Sequence, residues 1–255
     1  MTLAVRDLAV QFGGVAALAG ITFEVEPGTV TSLIGPNGAG KTTAFNAITG
    51  YLRATGGEVT WDGARITGLK PSAIARRGLV RTFQKTSVFS GLSVVDNVMI
   101  GLHLRGTAEW PGVLAGLRRV RDEERRLRTL ANETIAFVGL AGRAREIAGA
   151  LAYGEQRLVE LAVALAAHPS LLLLDEPAAG MTGAEKDTVS RLILDVRARG
   201  VTIFLVEHDM RLVMGISDRV IVLNHGRLIA DGRPADVQRH PDVIRAYLGS
   251  GRPPA

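Results

Sequence analysis

Apolar residues recur along this chain in two rhythms. "LAVRDLAVQF" (3–12), "ITFEVEPG" (21–28) and "VTSLIG" (30–35) alternate or cluster apolar positions and stop at Gly or Pro, so each predicts a strand. A helix is expected to follow, from Lys41 to about Gly50, and "GEVTWDG" (57–63) predicts a short strand and turn. From about 93 to 168 the rhythm turns helical; "LRRVRDEERRLRTLANETIAFVGLAG" holds many helix formers and few strand formers. After 170 the first rhythm returns. "LLLLDEP" (171–177) and "VTIFLVEHD" (201–209) predict buried strands, helices are expected near 183–199 and 209–217, and "RVIVLNHGRLIADG" (219–232) adds further strand. Strands and helices in alternation argue a mostly parallel sheet with helices packed on it. The helical stretch is an insertion between two halves of that sheet.

Composition narrows the class. A chain of 255 residues suits one large domain or two small ones, and its apolar fraction of 47% is ordinary for an α/β protein. The absence of cysteine excludes a disulfide framework and cysteine-ligated zinc, and fits a reducing compartment. The longest apolar runs, "LLLL" and "VTIFLV", are too short to span a bilayer, and "MTLAVRDLAVQF" does not read as a signal peptide.

The formal charge is +5, carried mainly by arginine, with lysine only at 41, 70, 85 and 186. A basic chain can attract nucleic acid or an anionic membrane face. Here the arginines are scattered among acids, and no nucleic-acid partner is expected. In the run 118–128, "RRVRDEERRLR", the pairs Arg118–Asp122, Arg119–Glu123, Asp122–Arg126 and Glu124–Arg128 stand four apart, as on a solvated helix face.

The chemistry begins at "GPNGAGKTT", residues 35–43, which fits G-x-x-x-x-G-K-[ST] between a predicted strand and a predicted helix. The motif comprises Gly35, Pro36, Asn37, Gly38, Ala39, Gly40, Lys41, Thr42 and Thr43. Its glycines let the backbone curl and turn N–H groups inward, and the following helix aims its positive end at the same point. Lys41 brings a compact charge to the β and γ phosphates of a nucleotide, and Thr42 offers a hydroxyl to Mg²⁺. "LLLLDEP" delivers Asp175 and Glu176 at the carboxyl end of a buried strand, where ligands of open α/β sheets bind. Asp175 can hold Mg²⁺ through water, and Glu176 can take a proton from the attacking water.

Taken in order, the P-loop, Gln84 in "RTFQ", "LAYGEQ" at 151–156, "LLLLDE" and His208 in "VEHD" resemble the ATP-binding-cassette ATPases over essentially the whole chain. The resemblance implies an α/β fold: a RecA-like P-loop NTPase core with a mostly parallel sheet, an antiparallel β subdomain and an inserted helical subdomain. It divides one domain, 1–255, into a core (1–92 and 169–234), a helical signature subdomain (93–168) and a C-terminal tail (235–255). It implies ATP and Mg²⁺ as ligands, with Phe12 stacked on adenine. Gln84 would reach the metal and the attacking water and sense the transport subunit, and His208 would touch the γ-phosphate. The alternative for Phe12 is a strand core residue, and for His208 taken alone a surface turn.

"RTFQKTSVFSGLSVVDNVMIGLH", the arginine-rich insert, "DEPAAGM" and "HPDVIRAYLG" resemble more narrowly the ATPase subunits of branched-chain amino acid importers, the LivG type. That implies membrane permease subunits, a second ATPase subunit in a homo- or heterodimer and, indirectly, a substrate-binding protein. The chain would sit peripherally on the cytoplasmic face of the cell membrane. Other readings are a cassette exporting lipid or lipopolysaccharide, or a soluble cassette acting on nucleic acid or ribosomes. A GTPase is disfavoured, because no guanine-reading N-K-x-D occurs.

Two stretches depart from the wider family. Thr182 stands where most relatives have aspartate. In "LAYGEQ", Ala152 and Tyr153 replace serine and glycine, ahead of Gly154 and Glu155. In the family this signature faces a nucleotide held by the opposite chain. Gly154 should keep a close backbone approach, and Leu158, Leu161, Ala162 and Leu165 should anchor the helix. Ala152 forgoes one hydroxyl donor, and a hydrogen bond to a charged group is worth roughly 1.5–3 kcal/mol.

Overall fold

The protein is described by a computed structural model covering residues 1–82, 88–102 and 118–248, with side chains in the helix that starts at 118 described from Asp122 onward. These residues fall into two compact units. One comprises residues 1–81, 170–178 and those from 186 onward; the other comprises 82–169 and 179–185.

The first unit holds two sheets. An antiparallel sheet runs β2-β1-β4-β5, from β1 (Leu3–Phe12), β2 (Val15–Val25), β4 (Gly56–Trp61) and β5 (Ala64–Arg65). The strand expected from residue 21 begins earlier, at Val15, because Gly13 and Gly14 form a tight turn that pairs Phe12 with Val15. The small residues of "VAALAG" carry little alternation, so a period count misses them.

The second sheet runs β10-β9-β3-β8-β7-β6. Its members are β3 (Val30–Ile34), β6 (Leu79–Arg81), β7 (Leu171–Asp175), β8 (Thr202–Val206), β9 (Arg219–Asn224) and β10 (Arg227–Gly232). All neighbours are parallel except β9 and β10. Every residue of β3, β7 and β8 is buried, as expected of central parallel strands covered on both faces.

Helix α1 (Lys41–Ile48) packs in the core formed between the two sheets. The Phe45 ring centroid lies 4.9 Å from that of Phe204, which in turn lies 5.6 Å from Phe23. Leu33, Ile221 and Leu223 face this core, while Ile34, Val220 and Val222 face a second one. The second core is covered by α7 (Met210–Ile216), α8 (Pro234–Gln238) and α9 (Pro241–Leu248) through Val213, Val237 and Val243. Helices α2 (Pro71–Ala75) and α6 (Gly183–Ala198) complete the described elements outside the helical insert.

In the second unit α3 (Val94–Gly101), α4 (Arg118–Phe137) and α5 (Tyr153–Ala166) pack against one another. Glu124 and Arg128 lie 3.6 Å apart, as the four-residue spacing predicts, whereas Asp122 reaches Arg125 at 3.7 Å. The signature helix differs from the expected one-sided anchor. Leu161 and Ala162 are buried but Leu158 and Leu165 only partly so, and Arg157 and Glu160 are buried as an ion pair at 2.8 Å. Pairing lets both charges leave water, which periodicity alone would not anticipate.

Candidate nucleotide site

The loop leaving β3 is shaped by backbone packing. A Cβ at Gly35 would lie 2.1 Å from the Leu223 backbone oxygen, so no larger residue fits without moving β9. Further on, the Gly226 N–H donates to the Ala39 carbonyl at 3.0 Å, and the Ala44 N–H donates to the Gly40 carbonyl at 2.9 Å to start α1. Ala39 is buried, Pro36, Gly40 and Thr43 are half-buried, and Asn37, Gly38 and Thr42 are exposed. The first turn of α1 carries no acid, so its N–H groups and dipole suit an anion.

Lys41 Nζ donates to the Gly35 and Pro36 carbonyls at 2.6 and 3.1 Å, which curls the side chain over the loop. Burial holds its pKa below the usual lysine value, partly countered by the charge of Glu176. A phosphate in the loop would relieve that desolvation by supplying opposite charge.

Sheet register brings the acids to this loop. Asp175 pairs with Val206, and Val206 pairs with Leu33, two residues before Gly35. Asp175 is 2% exposed and accepts from Arg81 at 2.7 Å. Glu176 turns out of the strand with φ of 50°, its N–H donating to the Val206 carbonyl at 2.9 Å. A left-handed glutamate costs of order 1–2 kcal/mol, and here the turn aims a half-buried carboxylate beyond the strand end. His208 Nδ1 lies 3.8 Å from Glu176 Oε1, and the imidazole is 63% exposed.

Phe12 ends β1 with 53% exposure, so its ring is not a core residue and offers a face to a ligand. Gln84 lies outside the described residues.

Three further residues support the site and were not singled out from sequence. Glu207 is buried at the end of β8 and accepts the Ala178 N–H at 2.9 Å and the His208 N–H at 3.0 Å, joining the turns after β7 and β8. Its signal was available, since an acid closes the apolar run "VTIFLVE" as Asp175 closes "LLLLD". Arg81 grips Asp175. Tyr247, on α9, has a hydroxyl whose pKa burial pushes up to about 12, against an opposing contribution from the Gly35 backbone.

The donors fit Mg²⁺ rather than a metal caged wholly by protein. Among the described residues no three His, Cys, Asp or Glu side chains converge on one point. Mg²⁺ at phosphate sites is bound through one or two carboxylates together with substrate phosphates, and Asp175, with the Thr42 hydroxyl and nucleotide phosphates, would be a set of that kind.

The signature residues belong to the second unit. Ala152 is the N-cap of α5, where its methyl accepts nothing, while its N–H donates to Glu155 Oε2 at 3.2 Å. That is half of a capping box. The Tyr153 hydroxyl donates to the Ala179 carbonyl and accepts from Arg157 Nε, both at 3.2 Å. Gly154 is buried, and a Cβ there would lie 2.2 Å from Glu185 Oε1. Glu185 Oε2 accepts the Thr182 N–H and hydroxyl at 2.8 and 2.7 Å. Thr182 Oγ1 in turn accepts the Glu185 N–H at 3.4 Å, which completes the cap of α6, and the bonds from Thr182 hold the Glu185 pKa below the usual carboxylate value. Within the chain, then, Gly154 makes room for Glu185.

A glycine loop feeding a helix, with two acids at the end of a strand one removed in the same sheet, defines a P-loop nucleotide-binding domain. The sequence model of the family described as ABC transporter matches residues 18–179, and that described as branched-chain amino acid ATP-binding cassette transporter matches 227–252. The chain belongs to the ATP-binding-cassette family of ABC transporters. It is 44% identical to the high-affinity branched-chain amino acid transport ATP-binding protein BraF of Pseudomonas aeruginosa over 97% of both chains. It is 42% identical to LivG of Escherichia coli, a protein of the same description, again over 97% of both. It also resembles the crystal structure of the ADP conformation of an ATP-binding cassette of an ABC transporter. That likeness has a TM-score of 0.86 and 31% identity, and covers 98% of this chain and 100% of the other. The nucleotide-free form of an ATP-binding cassette matches with a TM-score of 0.85, 31% identity and the same coverage.

Proposed function

We propose that this chain is the ATP-hydrolysing, energy-coupling subunit of an importer for branched-chain or closely related amino acids. It works against membrane permease subunits, paired with a second ATPase subunit in a nucleotide sandwich and served by a substrate-binding protein. It sits peripherally on the cytoplasmic face of the cell membrane. Among the described residues no helix is long and apolar enough to cross a membrane. The observation that carries the chemistry is the register placing Asp175 and Glu176 beside the loop of Lys41. The cargo rests on likeness over 97% of both chains to branched-chain amino acid transport ATP-binding proteins.

In this reading Phe12 stacks on adenine, and the N–H groups of residues 35–43 with Lys41 hold the β and γ phosphates. Thr42, Asp175 and Gln84 would hold Mg²⁺, which would neutralise charge on those phosphates when bound. Water attacks the γ-phosphorus, the bond to the β–γ bridging oxygen breaks, and the water's proton passes to Glu176. His208 steadies the γ-phosphate. Ala152, Tyr153, Gly154 and Glu155 face the nucleotide of the opposite subunit. ATP closes the sandwich, and hydrolysis with product release reopens it.

The test is reconstitution with permease subunits of a branched-chain amino acid importer, in vesicles supplied with ATP and a substrate-binding protein. Labelled leucine, isoleucine or valine should accumulate. Glu176→Gln should retain ATP binding while hydrolysis and uptake fall by about a hundredfold or more. Hydrolysis that persists in Glu176→Gln would overturn the assignment of the base, and ATP-driven movement of lipid instead of amino acid would overturn the cargo.

A further inference from the structure

One buried arginine touches both elements that carry the proposed metal ligands of this chain. Arg81 ends β6, a strand too short to announce itself by period, and its side chain is almost wholly buried. One terminal nitrogen donates to Asp175 Oδ2 at 2.7 Å. The other donates to Asn46 Oδ1 at 2.7 Å and Thr49 Oγ1 at 3.0 Å, the first within α1 and the second at its C-cap. The guanidinium carbon also lies 5.6 Å from the ring centroid of Phe45 and 5.8 Å from that of Tyr51. Thr49 is itself fixed, its hydroxyl donating to the Phe45 carbonyl at 2.5 Å.

A planar fork with a carboxylate on one tine and α1 on the other is a brace. Thr42 sits in the first turn of α1 and Asp175 at the end of β7. No ladder joins those two elements, because α1 is a helix and β7 pairs with β6 and β8. The guanidinium therefore fixes the separation of the two elements and the plane of the carboxylate. It also supplies the charge that permits a carboxylate at so buried a place.

We propose that Arg81 is a positioning residue for the metal. It holds Asp175 relative to the P-loop helix, and so sets the Mg²⁺ requirement of the site without touching nucleotide. This rests on the reading of Asp175 as a metal holder. Lysine cannot replace it, since a single ammonium on a shorter stem cannot reach the carboxylate and both α1 acceptors in one plane.

The experiment titrates Mg²⁺ against binding of a fluorescent ATP analogue in wild type, Arg81→Lys, Arg81→Met, Asn46→Leu and Asp175→Asn, with the melting temperature of each. Arg81→Met strands a buried carboxylate and is the variant at risk of failing to fold. Arg81→Lys keeps the charge, and Asn46→Leu removes only an acceptor on α1. Loss of a group that orients a metal ligand typically weakens metal affinity by about 10–100-fold. Half-saturating Mg²⁺ should rise by about tenfold in Arg81→Lys and by a smaller factor in Asn46→Leu. Metal-free nucleotide affinity should stay within about twofold of wild type in both.

If Asp175→Asn raises the Mg²⁺ requirement while folded Arg81→Lys and Asn46→Leu leave it unchanged, the brace is wrong and the metal assignment stands. If Asp175→Asn leaves it unchanged, the reading of Asp175 fails, and the role of Arg81 with it. Loss of metal-free and metal-dependent binding in equal measure would make Arg81 merely structural.

Discussion

Gly154 carries two demands that a motif alone would merge. In the proposed sandwich it would let a backbone approach a nucleotide; inside its own chain it lies against Glu185, whose carboxylate is tied to Thr182. Gly154→Ala would push that carboxylate away and break its bonds to Thr182, which should lower the melting temperature. Glu185→Ala loses the same bonds without a clash. The double variant should then melt no lower than Glu185→Ala alone, as a double-mutant cycle of the three proteins can measure. Additive losses would place the strain elsewhere. Gly35 differs in kind, because its obstacle is the backbone of β9, which no single substitution removes.

Helix ends show how elements share these polar groups. Asp209 caps α7, accepting the Arg211 and Leu212 N–H groups at 3.0 and 3.2 Å, and pairs with Lys186 at 2.7 Å. The lysine's hydrogen bond, then the cap N–H groups, hold the Asp209 carboxyl below the usual range. A depressed folded pKa means the contribution is complete above the unfolded value of about 3.9 and is lost as pH falls through the lower folded value. Asp209→Ala should therefore lower stability by about 1 kcal/mol near neutrality, and the gap to wild type should begin to close below about pH 4 and vanish as pH falls through the lower folded value. A gap that persists in acid would assign the loss to packing. By the same capping logic Ala152→Ser should complete the box whose other half Glu155 already makes, adding about 1 kcal/mol, or roughly 2–4 °C.

For the whole assembly that serine has a second consequence. In the proposed sandwich the signature serves the nucleotide of the other subunit, so Ala152→Ser should change hydrolysis there. With Lys41→Ala disabling this chain's own loop, the remaining turnover reports the partner's nucleotide and should respond to the serine. With the partner's P-loop lysine replaced instead, turnover at this chain's own loop should not. The reverse pattern would mean the motif acts within its own chain. The melting shift and the turnover shift are separable, since one needs only α5 and the other needs two subunits.

Much of this protein could be read before any fold was known, because those signals are local. β1, β3, β7 and α1 lie within a residue or two of where the apolar rhythm predicts them. The P-loop is nine consecutive residues, and the ordered motifs named the family. The misses were short or long-range. β6 spans three residues, too few for a period, and the Gly13–Gly14 turn outweighed weak alternation in β2. Arg81 and Asp175 stand 94 residues apart, and nothing in "LVRTFQ" or "LLLLDEP" couples them. Their meeting follows from sheet order, which sets β6 beside β7 and β8 between β7 and β3. The same holds for Gly154 against Glu185, and for Glu207 bridging two turns. Local pattern therefore singled out the P-loop and the acids at a strand end, while the partners that orient buried charges emerged only when distant strands and helices packed, since a buried charge must find its counterpart wherever the topology brings one.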